Sequence, residues 1–293
     1  MSKVIQPGNS YISPDHGRRR AIRCLFGGFA LAAGTAAHGF LIEPRMLSVT
    51  RKDIIRRDLP PGLAGLKIGH LTDFHFRPGH DDRLLEKVVA EVNHADLDLI
   101  ALTGDYISKD PRVLPPLLEI IQQLKARHGV FAVMGNHDGW AGNRATVRRE
   151  FEQAGIGFLI NQHSIVQARG ESLAVAGTDF VWLGKPDPER TFRGIPAKTP
   201  ILALVHEPDY FDTLVAHRPV VLQVSGHTHG GQCRVPLLGY APQRVRLGKK
   251  YLHGVYECGD SKLFVTRGVG TVGVRVRFAC PPELAILTLK AGV

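Results

Sequence analysis

The sequence of 293 residues contains only four cysteines, and no two of them are spaced as a metal-binding or redox pair. They are Cys24, Cys233, Cys258 and Cys280. The length and this spacing exclude a small disulfide-stapled module and a zinc finger as fold classes. One disulfide among the last three cysteines would be possible in an oxidising compartment, but free buried thiols are the simpler expectation.

Long uncharged runs are also scarce, and only residues 24–42 approach the length of a membrane-spanning helix. An arginine cluster within residues 18–23 precedes this run, which is the layout of a signal peptide. The cluster resembles the twin-arginine export motif, with Ala21 where that motif prefers Phe. No clear cleavage site follows, so the segment is expected to be either an export signal or an uncleaved membrane anchor of a bacterial cell envelope. A buried core helix would fit the basic flank poorly.

Positive charge is concentrated at the N-terminus. The net charge is +10, and residues 1–57 hold ten Lys or Arg against three Asp or Glu. The remaining residues hold 27 against 24, so they lack the excess of basic residues that nucleic-acid binding requires. We therefore expect a basic arm over residues 1–57, one soluble domain over residues 58–293, and no nucleic-acid partner.

Beyond the arm, short apolar segments alternate with amphipathic ones, which predicts strands connected by helices in an α/β fold. The expected strands cover residues 66–71, 97–102, 130–134, 173–176, 201–205, 220–224, 263–265 and 284–289. The expected helices cover residues 83–93, 114–126 and 145–154. Neither a repeat nor a linker interrupts this alternation.

Residues that commonly bind metals follow five of these strands. The motifs are Asp73-x-His75, Gly104-Asp105, Gly135-Asn136-His137-Asp138, His206 and Gly226-His227-x-His229. The carboxyl ends of strands in an open α/β sheet line one crevice. Side chains alternate between the two sides of an extended segment, so Asp73 and His75 would point to one side, as would His227 and His229. One such motif alone could be a turn, but five in order predict a single metal site.

The ordered motifs resemble those of the calcineurin-like metallophosphoesterases, and the resemblance covers residues 66–289. The extended motif at residues 226–232 and the segment 265–284 further resemble an envelope-associated bacterial branch, related to exported phosphoesterases and to some lipid A pathway pyrophosphatases. The family resemblance implies a four-layer αββα sandwich with two divalent metal ions. Mixed imidazole and oxygen ligands suit Mn, Fe or Zn better than Mg or Ca, and Mn is the first expectation.

The resemblance also implies a role for each residue of the motifs. Asp105 would bridge both ions, His137 would act on the reacting phosphate without binding metal, and Asp138 would orient the His137 imidazole or cap the turn. The other expected ligands of the first ion are Asp73, His75 and His229. The other expected ligands of the second ion are Asn136, His206 and His227.

These expectations describe a hydrolase in which a hydroxide held by two metal ions attacks a phosphomonoester or phosphodiester. A second hypothesis is a lipid-linked pyrophosphatase acting on an envelope glycolipid precursor such as a UDP-diacylglucosamine, bound at a membrane surface. It rests on the N-terminal segment and on residues 234–250, which mix apolar and basic side chains. The apolar ones are Val235, Leu237, Leu238 and Tyr240, and the basic ones are Arg244, Arg246, Lys249 and Lys250. A non-catalytic binding scaffold is the third hypothesis, although no expected ligand is missing.

Overall fold

The computed structural model describes residues 14–238, 241 and 245–292, with side chains described from residue 17 onward. Two residues of the mixed apolar and basic segment, Tyr240 and Arg244, therefore lie outside the described residues.

Within the described ranges the chain forms twelve strands and seven α-helices. The strands are β1 Ser48–Arg56, β2 Lys67–Leu71, β3 Leu99–Leu102, β4 Val130–Ala132, β5 Gly157–Phe158, β6 Gln162–Ala168, β7 Glu171–Gly177, β8 Ile201–Leu204, β9 Leu222–Ser225, β10 Gly254–Cys258, β11 Ser261–Val265 and β12 Glu283–Ala291. The helices are α1 Pro14–Ala37, α2 Asp82–His94, α3 Leu114–Ile121, α4 Asn136–Trp140, α5 Arg144–Gln153, α6 Pro188–Phe192 and α7 Phe211–His217.

The strands form two six-stranded sheets. The first sheet has the order β1-β12-β2-β3-β4-β5 and the second has the order β10-β11-β9-β8-β7-β6. Strands β2 to β5 run parallel, as do β7, β8, β9 and β11. Parallel neighbours need crossover connections, which place the loops that follow these strands at the same edge of each sheet.

Apolar side chains fill three separate spaces between the layers. Between the sheets, Ile68, Leu99 and Leu287 of the first sheet share one cluster with Leu204 and Val224 of the second. The outer face of the first sheet packs on α2, α3 and α5, and the outer face of the second packs on α6 and α7. This order of layers confirms the predicted αββα sandwich, and burial of the core side chains contributes about 1.5–3 kcal/mol each.

The predicted boundary after residue 57 needs correction, because β1 lies on its N-terminal side. Ser48–Arg56 pairs in parallel with Glu283–Ala291 along the whole length of both strands. The sequence of β1 is rich in charge because it forms an edge strand, and residues 51–53 are exposed. An edge strand of this kind carries too weak an apolar pattern to be recognised from sequence.

The N-terminal helix is exposed over most of its length. The stretch Gly17–Arg45 is long and apolar enough to cross a membrane, by length and composition, and only 6% of its most apolar window is buried. A signal sequence has the same properties. Contact with the rest of the protein begins after Ala37, where the Gly39 carbonyl accepts a hydrogen bond from the Arg277 amide at 3.0 Å. The buried Glu43 carboxylate then accepts hydrogen bonds from the amides of Ala279 and Cys280.

Candidate metal centre

Five loops, which follow β2, β3, β4, β8 and β9, meet at one end of the sandwich. They bring all seven expected ligands together: Asp73, His75, Asp105, Asn136, His206, His227 and His229. All seven side chains are buried. Charged and imidazole groups rarely bury together unless they pair with one another or bind a metal.

The backbone at this end of the sandwich is strained. Five of the seven residues have a positive φ, namely Asp73 at 53°, His75 at 41°, Asp105 at 53°, His227 at 69° and His229 at 50°. Each such residue costs roughly 1–2 kcal/mol, and strain of this kind concentrates at functional sites. The expectation that alternation along an extended segment aligns these side chains is therefore wrong, because left-handed turns place them instead.

Two glycines permit the close approach of the loops. A Cβ atom on Gly135 would lie 2.3 Å from an Asp105 carboxylate oxygen, and one on Gly226 would lie 2.3 Å from an Asp73 carboxylate oxygen. Any larger residue at either position would displace the carboxylate that it touches. These glycines are therefore required by the site and not only by the turns.

The first group of ligand atoms contains Asp73, His75 and His229, whose ligand atoms lie within 4.8 Å of one another. The Nε2 atoms of His75 and His229 are 3.1 Å apart. An Asp73 carboxylate oxygen is 3.4 Å from Nε2 of His229. Two ring nitrogens and one carboxylate oxygen thus point at one small volume.

The second group contains Asp105, His206 and His227, again within 4.8 Å. Nε2 of His206 lies 3.1 Å from Asn136 Oδ1 and 3.3 Å from His227 Nδ1. The same Asp105 oxygen is 3.2 Å from Nε2 of His206 and 3.5 Å from Nε2 of His75. Asp105 therefore lies between the two groups and touches both.

Backbone carbonyls fix which nitrogen of each ring is free. Nδ1 of His206 donates to the Thr103 carbonyl at 2.6 Å, so Nε2 is the nitrogen that faces the centre. Nε2 of His227 donates to the Arg246 carbonyl at 2.6 Å, which leaves Nδ1 free in the same way. Partners of this kind orient metal-binding histidines, and the donor set therefore fits a pair of divalent cations.

The ionisation states suit metal ions at three of the four histidine ligands. Burial lowers the pKa of His75 to about 3 and that of His227 to about 4, and it lowers the pKa of His229 well below its usual value. All three rings are therefore neutral at pH 7, which is the form that binds metals. Burial lowers the pKa of His206, but the charge and hydrogen bond of Asp105 raise it well above its usual value, so this ring must lose a proton before it binds a metal. Burial alone would raise the pKa of Asp105, but the neighbouring His206 and His75 lower it, so this carboxyl is ionised.

His137 lies beside the two groups and is only partly buried. It also forms a third set of potential metal ligands with His75 and Asp105, whose ligand atoms lie within 4.8 Å of one another. Its Nδ1 donates to the Ser108 carbonyl at 3.0 Å, and its amide donates to Asp105 Oδ1 at 2.8 Å. The ring meets that of His75 edge-on at a centroid distance of 4.8 Å. The Ser108 hydroxyl lies 3.0 Å from Nδ1 of His75, so one residue orients both imidazoles. Nothing in the sequence marks Ser108 for this role.

The predicted orientation of His137 by Asp138 is wrong. The Asp138 carboxylate accepts hydrogen bonds from the amides of Gly135, Tyr106 and Ile107 at 2.9–3.1 Å and does not bond the imidazole. Its side chain caps the turn that begins α4, which is the alternative expected for this position. The Ser108 carbonyl, and not this carboxylate, accepts the hydrogen bond from the His137 ring.

Two tryptophans pack against histidine rings of the centre. The rings of Trp140 and Trp182 meet at 4.8 Å and 88°, and Trp140 also contacts the His137 ring at 5.1 Å. Trp182 lies 6.2 Å from the His227 ring, and the Arg246 guanidinium lies 5.8 Å above Trp182. The spacing of three residues between His137 and Trp140 in a helix would have indicated this contact.

A buried arginine shapes the loop that connects β11 to β12. The Arg277 side chain is fully buried, and its guanidinium donates only to backbone carbonyls, among them those of Arg267, Gly268 and Cys280 at 2.9–3.0 Å. The same loop holds the Asp73 turn, since the amide of Gly270 donates to the Asp73 carbonyl at 2.7 Å. Arg277 therefore supports the first group of ligands without touching it.

Comparison with known families gives one match for this architecture. The family model described as calcineurin-like phosphoesterase matches residues 66–231, which contain all seven expected ligands.

Curated relatives extend the match over most of the chain. The uncharacterized metallophosphoesterase YkuE of Bacillus subtilis is 32% identical over 285 residues, which cover 94% of this chain and 98% of the relative. The phosphodiesterase YaeI of Escherichia coli is 32% identical over 233 residues, which cover 77% of this chain and 83% of the relative. Among solved structures, a 5'-nucleotidase precursor of Thermus thermophilus aligns at 16% identity with a TM-score of 0.48, over 76% of this chain and 54% of the other.

Proposed function

The chain belongs to the calcineurin-like phosphoesterase family and is a hydrolase of phosphate esters, and we propose that it cleaves phosphomonoesters or phosphodiesters at a centre for two divalent cations. The observation that carries this proposal is the position of Asp105. Its carboxylate lies within 3.5 Å of an imidazole nitrogen from each group of ligands, where a bridging ligand must stand.

Each residue of the centre has a place in this proposal. Asp105 would bridge the ions, and the two groups of ligand atoms would complete one shell each. The first shell would contain Asp73, His75 and His229, and the second would contain Asn136, His206 and His227. When bound, two divalent cations supply Lewis acidity that makes water nucleophilic at neutral pH and offsets the charge of the phosphate. The mixed nitrogen and oxygen donors favour Mn, with Fe or Zn as alternatives.

His137 would act on the substrate and not on the ions. Because Nδ1 donates to the Ser108 carbonyl, Nε2 is the nitrogen left to face a bound phosphate. In its protonated form the ring would donate from Nε2 to the leaving oxygen, which is general acid catalysis. The partial exposure of His137, in contrast to the burial of all seven expected ligands, supports this role.

The N-terminal segment supports a location in the cell envelope. An exposed apolar helix that follows the arginines of residues 18–23 would export the protein or anchor it in a membrane. The catalytic domain would then begin at β1 and follow this helix through the Glu43 contact. A phosphodiester substrate is favoured over a monoester by the similarity to YaeI, which is named a phosphodiesterase.

A lipid-linked pyrophosphate is the second candidate substrate. It is supported by the exposure of Leu237 and Leu238, two apolar residues of the segment that follows the His229 turn. Cleavage of detergent-dispersed lipid pyrophosphates faster than water-soluble esters would favour this candidate over the first.

The test is reconstitution of the full chain in mild detergent after removal of metals. The protein would be loaded with Mn, Fe or Zn in turn and assayed with p-nitrophenyl phosphate and bis(p-nitrophenyl) phosphate. We expect activity to rise with a second equivalent of metal. Full activity at one ion per chain would contradict the dinuclear centre, and no hydrolysis by the fully loaded protein would revive the non-catalytic scaffold.

A further inference from the structure

A cavity of about 580 Å³ lies beside His137 and holds none of the expected metal ligands. Its apolar wall consists of Phe76, Pro78, Val113 and Val272, and it reaches the metal centre at His137 and Ser108. We refer to it as the lateral cavity. Its volume lies within the range of small-molecule binding sites in proteins.

Three charged residues line the lateral cavity, Arg77, Lys109 and Asp110, and two of them are engaged elsewhere. Arg77 donates to both the carbonyl and the hydroxyl of Thr271 at 2.6 Å. The Asp110 carboxylate pairs with Arg112 at 2.7 Å. Lys109 is exposed to solvent. The apolar wall of the cavity therefore offers hydrocarbon to a ligand.

The position of the lateral cavity relative to His137 decides which part of a substrate can enter it. In the proposed function His137 protonates the leaving oxygen, so the group attached to that oxygen extends past the ring. The tryptophan pair also contacts the ring, but through Trp140, which does not line the lateral cavity. Space for the leaving group thus exists on the side lined by Val113 and Val272.

We propose that the lateral cavity binds the leaving group of the substrate and selects esters in which that group begins with an alkyl chain or an aromatic ring. This inference rests on the proposed function, because it uses the role of His137. It names a substrate class, apolar phosphate esters, that neither the metal ligands nor the strand-end motifs determine.

Binding of alkylphosphonates to the Mn-loaded full chain tests the proposal without turnover. Methylphosphonate and hexylphosphonate would be compared by calorimetry. Full burial of the chain would give about fourfold tighter binding per methylene. Because the lateral cavity is open on one side, we expect at least about a tenfold preference for the hexyl compound. Equal affinities would overturn the proposal.

Substitutions separate the lateral cavity from other apolar surfaces. Val272→Asp should abolish the hexyl preference, measured as the ratio of the affinities for hexylphosphonate and methylphosphonate, because any effect of the new charge on the phosphonate group is common to both compounds. Val113→Asp is a second variant with the same expectation, should the first fail to fold. Val274→Asp is the matched control, because Val274 is exposed and does not line the cavity. Val274→Asp should keep the preference for the hexyl compound. Partition of the ligand into detergent would affect this variant and Val272→Asp equally, so a difference between the two variants cannot come from the detergent. If Trp140→Ala loses the preference while Val272→Asp keeps it, the tryptophans bind the chain and the proposal is wrong.

Kinetics on alkyl phosphates distinguish failure of this inference from failure of the proposed function. Propyl and octyl phosphate have leaving alcohols of similar acidity, so kcat/KM should rise for octyl phosphate and lose this rise in Val272→Asp. Hydrolysis of both esters with equal kcat/KM would agree with the proposed function but would contradict the role of the lateral cavity as the leaving-group site. The opposite result is a preference for hexylphosphonate that depends on Val272, without hydrolysis of any ester. It would show that the lateral cavity binds alkyl groups but would contradict the proposed function.

Discussion

The two sheets contribute different chemistry to the candidate metal centre. The loops of the first sheet supply all the oxygen donors, Asp73, Asp105 and Asn136, together with the imidazole of His75. The loops of the second sheet supply imidazoles alone, those of His206, His227 and His229. The two groups of expected ligands each draw on both sheets, whereas a third set of potential ligand atoms, His75, Asp105 and His137, belongs to the first sheet alone. Ions bound by the two groups of expected ligands would therefore hold the sheets together.

The largest effect is expected from Asp105, the carboxylate of the first sheet that we propose to bridge the ions. Asp105→Asn should remove nearly all activity and lower the metal content, because a neutral amide cannot bridge two cations as a carboxylate does. Metal analysis and kcat would be measured on the same preparation. Asp53→Asn is the matched control, because Asp53 lies in the exposed part of β1. Full activity of Asp105→Asn with both metals retained would contradict the dinuclear assignment.

A histidine from each sheet then separates metal binding from chemistry. His206→Ala, in the second sheet, should lose metal because it removes a ligand atom. His137→Ala, in the first, should keep both metals and lose roughly 10²–10⁴-fold in kcat, the usual contribution of general acid catalysis. The loss should shrink for p-nitrophenyl phosphate, whose leaving group needs no proton. The reverse pattern of metal loss would show that the two roles are assigned wrongly.

The connection between the sheets can be weakened without touching a ligand. Arg277→Met should lower the affinity for metal about tenfold and the free energy of unfolding by about 3 kcal/mol, since several buried carbonyls lose their hydrogen-bond donor. Arg275→Met, two residues away and only partly buried, is the control. Metal titration and thermal unfolding would be measured for both. Unchanged metal affinity in Arg277→Met would show that the loop does not support the Asp73 turn.

A smaller effect is expected from Glu283, where β12 begins. Burial alone would raise the pKa of the Glu283 carboxyl. The hydrogen bond and charge of His253 and the charge of Arg267 have the larger effect and bring this pKa well below 4.5. A depressed pKa in the folded state adds stability that is present above pH 4.5 and is lost as the pH falls below it.

Glu283→Gln should therefore be less stable than the unsubstituted protein by about 2 kcal/mol at pH 7, and the two should converge below pH 4. Urea unfolding in the presence of a chelator measures this difference without a contribution from bound metal. A gap that stays constant from pH 7 to pH 3 would show that charge is not the cause.

The same contrast between centre and edge explains how much of the structure the sequence predicted. All eight strands expected from apolar runs lie inside the two sheets, and the four missed ones, β1, β5, β6 and β10, are the four sheet edges. Central strands are buried on both faces and are apolar throughout, whereas an edge strand such as Gln162–Ala168 is largely polar.

The ligands could be expected for a similar reason, since they follow central strands. What could not be predicted was how they are held. Left-handed turns at Asp73 and His229 and the carbonyls of Ser108 and Thr103 leave no trace in residue type, because every residue has a carbonyl group. The wrong role for Asp138 has the same origin, since its partners are backbone amides.

The smallest effect is expected from the region that belongs to neither sheet. Deletion of residues 1–37 should leave kcat on p-nitrophenyl esters and the metal content unchanged, because the deleted part of the helix is exposed.

Glu43 must be kept, since its carboxylate holds the amides of Ala279 and Cys280 next to the loop that Arg277 supports. Deletion of residues 1–47 should therefore lower stability and metal affinity, although both truncated proteins lack the exposed helix and should leave the membrane fraction. Equal metal affinity in the two would show that Glu43 attaches the helix without supporting the centre. Loss of metal already in the shorter deletion would show that the helix itself supports the fold.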